Sequence, residues 1–223
     1  LEGPYLSPEQ VGAMNPRLLR RPEPKEYLSL LERYPEIIRM TAAPELPGGL
    51  ALGRELHRRG ILASIGHSNA TFDEVTRAVE AGYTHITHLY SATSGVKRIN
   101  AYRVAGVIES ALLLDELTVE AIGDGRHLPA SLLKLIYRAK GPERMALITD
   151  AMKAAGLPEG EYFVGSPEDG QRVIVEDDVA KLPDRSAFAG SVATMARVVR
   201  TAVQLAEIPL PDEIGRASCR ETV

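Results

Sequence analysis

The sequence predicts an α/β fold built on a parallel sheet, and three features carry that expectation. Short apolar runs recur at 37–42, 61–65, 85–90, 117–122 and 144–149. Amphipathic stretches flank them at 25–34, 49–59, 71–81, 104–114 and 130–139. The runs are apolar on both faces, as strands covered by helices on either side must be.

Local signals mark several ends in order. Gly60 suits the stop of the 49–59 helix. Thr71 reads as the N-cap of the next helix, with Glu74 three residues on to complete a capping box. Gly82 suits its stop, Pro129 suits the entry of the 130–139 helix, and Gly141 suits that helix's end. After Met152 the rhythm changes. Residues 162–164, 173–175 and 179–182 read as short antiparallel strands, with Glu176-Asp177-Asp178 as a turn. A long helix from Ser191 to about Glu207 follows. No internal repeat or low-complexity linker interrupts the chain.

Composition narrows the class. The 223 residues carry 26 Lys plus Arg against 30 Asp plus Glu, a formal net charge of −4, with 44% apolar residues. These proportions exclude collagen-like, low-complexity and wholly disordered chains. An acidic balance without a basic block argues against a nucleic-acid partner. No apolar run approaches the ~20 residues that span a bilayer, so no membrane partner is expected. The single cysteine, Cys219, excludes an internal disulfide framework and a multi-cysteine metal site. No signal segment opens the chain, which makes the cytoplasm the default location. The opening Leu1-Glu2-Gly3-Pro4 has no initiator Met and reads as the middle of an element, hence as a piece of a longer protein.

Position singles out two of the five histidines and one acid. His67 follows 61–65 through Gly66, His88 lies near the end of the next apolar run, and Asp150 follows 144–149. In a parallel α/β barrel, strand ends form the catalytic face. Imidazole nitrogen and carboxylate oxygen are good Zn²⁺ ligands, and a catalytic site leaves one position open to water. A strand-end histidine also serves as a capping or packing residue; both readings stand at this point. His85 precedes His88 by three, so alternation turns it toward the helical layer as a structural residue. His57, among charged neighbours, reads as surface.

Six motifs occur in one order: Leu1-Glu2-Gly3-Pro4-Tyr5, Gly66-His67-Ser68-Asn69-Ala70-Thr71, Thr87-His88-Leu89-Tyr90, Asp124-Gly125-Arg126-His127, Leu147-Ile148-Thr149-Asp150-Ala151 and Ala189-Gly190-Ser191. Together they resemble the N-acetylglucosamine-6-phosphate deacetylase family of the amidohydrolase superfamily, over residues 1–213. The resemblance implies a partial (β/α)₈ TIM-type barrel: strands 3–8 within 1–160, a short β-hairpin excursion over 161–189, and a returning helix over 190–212. It implies that Glu2, His67 and His88 hold one divalent metal, Zn²⁺ first, with Fe²⁺, Co²⁺ or Mn²⁺ as alternatives. Asp150 becomes the general base and acid.

For a sugar-phosphate substrate the resemblance marks Ala13, Met14, Ser91, Ala92, Arg103, Asp124, Gly125, Arg126, His127, Phe188, Ala189 and Gly190. Lys97 and Arg98 compete with Arg103 for the phosphate. It also implies a homodimeric parent enzyme. Ser91-Ala92-Thr93 departs from the family's Asn-Ala-Met, and Met14 stands where many members have His. These departures keep open an amidohydrolase acting on a related acetamido sugar or cyclic amide, and an inactive metal- or sugar-phosphate-binding piece. Residues 213–223 do not resemble the family; they read as translated adapter sequence, or as a genuine polar terminus. With its first strands missing, the 223-residue chain alone is expected to be inactive.

Overall fold

The computed structural model describes residues 1–165 and 170–209. The 213–223 tail and the end of the 190–212 segment lie outside the described residues. The chain divides into two units, Leu1–Val119 and Glu120–Val223.

The first unit opens with two 3₁₀ turns, Pro8–Gln10 and Pro16–Leu18. There follow α1 (Pro24–Arg33), β1 (Arg39–Ala42), α2 (Gly49–Arg58), β2 (Leu62–Ile65), α3 (Phe72–Glu80) and β3 (Tyr83–Ile86). Next come β4 (Lys97–Ile99), β5 (Tyr102–Val104), α4 (Val107–Leu113) and the start of β6 (Thr118–Ile122). Strands β1, β2, β3 and β6 pair in parallel, with Thr41 opposite Ser64 and His85 opposite Thr118. Helical crossovers between successive strands impose that direction.

The helices form where their apolar stripe meets the sheet. Leu52 and Leu56 of α2 are fully buried. Between them Gly53 admits the Tyr83 ring; a Cβ there would lie 2.4 Å from Tyr83 Cε2. The Tyr83 hydroxyl donates to the Gly49 carbonyl at 3.0 Å. At α3 the expected capping box is present: Glu74 N donates to Thr71 Oγ1 at 3.4 Å, and Thr71 N donates to Glu74 Oε2 at 2.8 Å. It satisfies backbone donors that the first turn leaves without helical partners.

Two boundaries differ from the sequence reading. Strand β3 spans Tyr83–Ile86 instead of 85–90, because His88 (φ 30°) and Tyr90 (φ 77°) leave the extended region. The helix expected over 104–114 begins at Val107, because Tyr102–Val104 pairs with Lys97–Ile99 as a hairpin. Its turn residues, Asn100 and Ala101, both have positive φ, the conformation that matches the twist of tight hairpins.

The second unit holds the rest of β6, then α5 (Ala130–Lys140) and β7 (Met145–Ile148), which neighbours β6. Strands β8 (Gly160–Val164), β9 (Gln171–Glu176), β10 (Val179–Lys181) and β11 (Phe188–Ser191) form an antiparallel sheet in the order β11-β10-β9-β8. The expected hairpin is therefore joined by a fourth strand, β11, which pairs Ser191 with Val179 and Phe188 with Lys181. The Asp177-Asp178 turn lies where it was expected, both residues at positive φ. Helix α6 (Met195–Gln204) is shorter than the 191–207 stretch read from the sequence; Thr194 caps it by accepting from Arg197 N. No helix among the described residues is long and apolar enough to cross a membrane.

Candidate metal centre and its surroundings

Glu2 is held by backbone pairing with β1: Thr41 N donates to Leu1 O at 2.8 Å and Gly3 N donates to Thr41 O at 3.2 Å. His67 and His88 each stand two residues beyond the end of a parallel strand, β2 and β3. Both have left-handed backbone, φ 46° and 30°. Non-glycine residues pay of order 1–3 kcal/mol for such conformations, which cluster at functional sites. Asp150 repeats the pattern in the second unit, two residues beyond β7 with φ 49°.

The side chains of the first unit converge. Glu2 Oε1 lies 2.9 Å from His67 Nε2 and 2.8 Å from His88 Nε2. The two rings meet edge-on with centroids 5.1 Å apart. Among the described residues this trio is the one His/Cys/Asp/Glu group with metal-binding spacing, its ligand atoms all within 4.8 Å of one another. Both histidines are buried, while the Glu2 side chain is 32% exposed. Burial is the largest influence on the Glu2 carboxyl and pushes its pKa up. Hydrogen bonds and charge from His67 and His88 outweigh it and hold the group well below the usual carboxylate range.

The donor set fits a metal. His67 Nδ1 lies 2.8 Å from the Gln10 carbonyl, which can only accept, so Nδ1 carries the proton and donates. In neutral imidazole that leaves a lone pair on Nε2, aimed at a carboxylate oxygen that also carries lone pairs. A proton or a metal cation must lie between them. A backbone carbonyl on the far ring nitrogen is the usual means of orienting a metal-binding histidine.

The loop after His67 is anchored by a residue the sequence reading missed. Glu45 Oε2 accepts from Ser68 Oγ at 2.7 Å and Oε1 accepts from Asn69 N at 2.6 Å. Burial pushes the Glu45 carboxyl up, and the Ser68 and Asn69 hydrogen bonds only partly offset it. An acid between Pro44 and Pro47, just past a strand end, was the available signal.

The other expected residues of this unit divide. A Cβ on Gly12 would lie 3.3 Å from His67 Cε1 and 3.6 Å from the Ala92 methyl. The turn leading to Ala13 and Met14 therefore borders His67 and Ala92. Ser91 N donates to His88 O at 2.9 Å, and Ala92 O accepts from Ser68 N at 3.1 Å. Arg103, by contrast, is exposed on β5, directly opposite Arg98. Lys97 Nζ donates to the Asn69 carbonyl at 2.9 Å and so serves the His67 loop.

In the second unit, Asp124 closes a turn on itself. Its Oδ1 accepts from Arg126 N at 2.8 Å and His127 N at 2.9 Å, and its Oδ2 accepts from His127 Nδ1 at 2.7 Å. Gly125 supplies a positive φ of 76° in that turn. Burial pushes the Asp124 carboxyl up most strongly, but His127 and the two amides together hold it below its ordinary value. The His127 ring stacks at a tilt on Phe188, centroids 4.8 Å apart. Arg126 points to Asp178 at 3.5 Å on the surface. Ala189 and Gly190 run beside Asp150, whose carbonyl accepts from Ser191 N at 2.8 Å.

Comparison with known proteins finds relatives in sequence and in fold. No family model matches the chain. An N-acetylglucosamine-6-phosphate deacetylase of Lysinibacillus sphaericus is 36% identical over 221 residues, covering 98% of this chain and 54% of that protein. An N-acetylgalactosamine-6-phosphate deacetylase of Escherichia coli O157:H7 is 33% identical over 98% of this chain and 55% of its own length. The Mycobacterium smegmatis N-acetyl-D-glucosamine-6-phosphate deacetylase, solved as an Asp-to-Ala variant with N-acetyl-D-glucosamine 6-phosphate, superposes with a TM-score of 0.88 at 36% identity. That match covers 97% of this chain and 55% of the solved one. The chain thus spans about half the length of the curated relatives it matches. It belongs to the N-acetylglucosamine-6-phosphate deacetylase family.

Proposed function

We propose that the polypeptide carrying this chain hydrolyses the acetamido group of N-acetylglucosamine 6-phosphate, releasing acetate and glucosamine 6-phosphate. The observation that carries this reading is the meeting of His67 and His88, from beyond two separate strand ends, at one carboxylate oxygen of Glu2, which is bridged to β1. Two imidazole nitrogens and a carboxylate suit Zn²⁺ with a fourth position open; Fe²⁺, Co²⁺ and Mn²⁺ accept the same donors. When bound, such an ion lowers the pKa of water toward neutrality and polarises a carbonyl.

The remaining work falls to side chains. The Asp150 carboxylate takes the proton from the attacking water as its oxygen bonds to the acetyl carbon. As the amide C–N bond breaks, Asp150 returns that proton to the departing sugar nitrogen. Its support is its strand-end position and the left-handed backbone it shares with His67 and His88. Arg103, Arg126 and His127, with the amides of Ser91 and Ala92, are assigned to the sugar phosphate. Guanidinium and imidazole donors suit a dianion. Ala13, Met14, Phe188, Ala189 and Gly190 are assigned to the sugar walls. A homodimer and a cytoplasmic setting belong to the same proposal.

The galactosamine-acting relative makes the sugar epimer the open variable. Acetate release from the two N-acetylhexosamine 6-phosphates, with and without chelator, tests both points. Metal-dependent release, faster on the gluco epimer, is expected. Metal-loaded protein that releases acetate from neither sugar phosphate would sink the proposal.

A further inference from the structure

A buried group of hydroxyls is shared by the segments that lead to Glu2, His67 and His88. Thr87 Oγ1 is 2.8 Å from Thr41 Oγ1 and 2.6 Å from Ser64 Oγ, and all three residues are buried. Thr41 belongs to β1, Ser64 to β2, and Thr87 follows the end of β3. A hydroxyl offers one proton and two lone pairs, so Thr87 can donate to one partner and accept from the other.

Each member also leads to one metal-binding side chain. Thr41 pairs through its backbone with the segment that carries Glu2. Ser64 lies three residues before His67 on β2. Thr87 immediately precedes His88, and its own N–H donates to Ile65 O of β2 at 2.9 Å. The packing is closed above the hydroxyls. A Cβ on Gly66, the residue before His67, would lie 2.5 Å from Thr41 Cγ2 and 3.0 Å from Thr87 Cβ. The residue that delivers His67 therefore rests directly on two members of the group.

We infer that Thr87, with Thr41 and Ser64, is a positioning hub that sets the mutual geometry of Glu2, His67 and His88. It acts by locking the three strand ends in one register, so that backbone conformations which cost energy individually are held together. The inference rests on the metal-centre reading above. Its physical basis is that each hydroxyl satisfies another in a buried place, where loss of one partner strands the rest.

The test uses Co²⁺ as a probe in the full 223-residue chain, reading the visible absorption band and the dissociation constant alongside thermal melting. Thr87→Val keeps the shape and removes the hydroxyl. It is expected to weaken Co²⁺ binding by about 10–100-fold, the scale of an outer-layer change at a metal site, and to alter the band. Thr87→Ser restores the hydroxyl and is expected to return affinity to within about threefold of the unsubstituted chain. Because Thr87→Val leaves two buried hydroxyls stranded, a melting loss could follow from that alone. The triple variant Thr41→Val/Ser64→Ala/Thr87→Val removes every stranded group. It is expected to melt near the unsubstituted chain yet still bind Co²⁺ weakly with an altered band. A triple variant with unchanged affinity and spectrum would overturn the hub. An unsubstituted chain that takes up no Co²⁺ would overturn both the hub and the metal centre on which it rests.

Discussion

Two pairings of histidine with carboxylate among the described residues differ in what they leave available. Asp124 and His127 are three residues apart, and the turn between them spends both carboxylate oxygens on local donors. Glu2, His67 and His88 come from segments up to 86 residues apart, and one carboxylate oxygen faces two imidazole nitrogens. The first pairing is electrostatically complete and fixes the pose of His127. The second places three donor atoms around a common point and is completed only by a proton or a cation. Proximity of His and carboxylate does not by itself make a metal centre; the count of unspent lone pairs separates the two.

The sharpest break in that comparison is to remove one donor from each region. His88→Ala should weaken metal uptake by more than the ~10–100-fold that outer-layer changes cost, while His127→Ala leaves metal uptake unchanged. Isothermal titration with Zn²⁺ checks this, and equal losses in both variants would erase the distinction. Next in size, in the longer polypeptide that carries this chain, Asp150→Asn should lower turnover by at least ~10²-fold with metal content preserved. An unchanged rate in the purified variant would place the proton elsewhere.

A smaller, conditional effect concerns the phosphate. In the longer polypeptide that carries this chain, Arg103→Ala and His127→Ala should reduce activity on the 6-phosphorylated sugar far more than on the unphosphorylated one, because the lost charge pairing exists only with the phosphate. Equal losses on the two substrates would assign both residues to the fold.

The smallest expected effect is on stability, and it tests the closed character of the Asp124–His127 pairing. Asp124→Asn should cost about 1.5–3 kcal/mol, the range for hydrogen bonds to a charged group, read from urea midpoints at neutral pH. The folded Asp124 carboxyl is depressed below its unfolded value of about 3.9. Its stabilising contribution is therefore whole above that value, declines as the pH falls through it, and is gone below the folded value. The acid side of the stability curve should be shallower in Asp124→Asn; an unaltered curve would show that the turn holds without the charge.

Much of this architecture was legible because it is local. The Thr71–Glu74 capping box, the five parallel-strand runs, and the Asp177-Asp178 turn each depend on neighbours within a few residues. The strand-end placement of His67, His88 and Asp150 followed from the same local reading, and the motif order supplied their expected roles. The β4–β5 hairpin escaped notice because its short runs, Lys97–Ile99 and Tyr102–Val104, are too brief and too charged to show a period. Arg103 stood just before the stretch read as helical over 104–114, whereas it sits on an exposed strand.

What tertiary structure alone decided is which polar groups meet. By sequence, Glu2 is an acid near a chain end, Glu45 an acid between prolines, and Thr41, Ser64 and Thr87 are ordinary strand residues. Alternation tells which side of a strand a residue occupies, but the partner across the sheet depends on register, which is set by many packing contacts at once. The sequence by itself placed His67, His88 and Asp150 at or near the ends of apolar runs, since such runs and the glycine at 66 are local facts, although β3 stops at Ile86 and not at 90. The motif resemblance implied that Glu2 joins the two imidazoles; only the folded chain shows that contact and that one buried hydroxyl serves two others. Those contacts bridge segments 23 to 86 residues apart, and hydrogen bonding over such separations leaves no periodic trace in the chain.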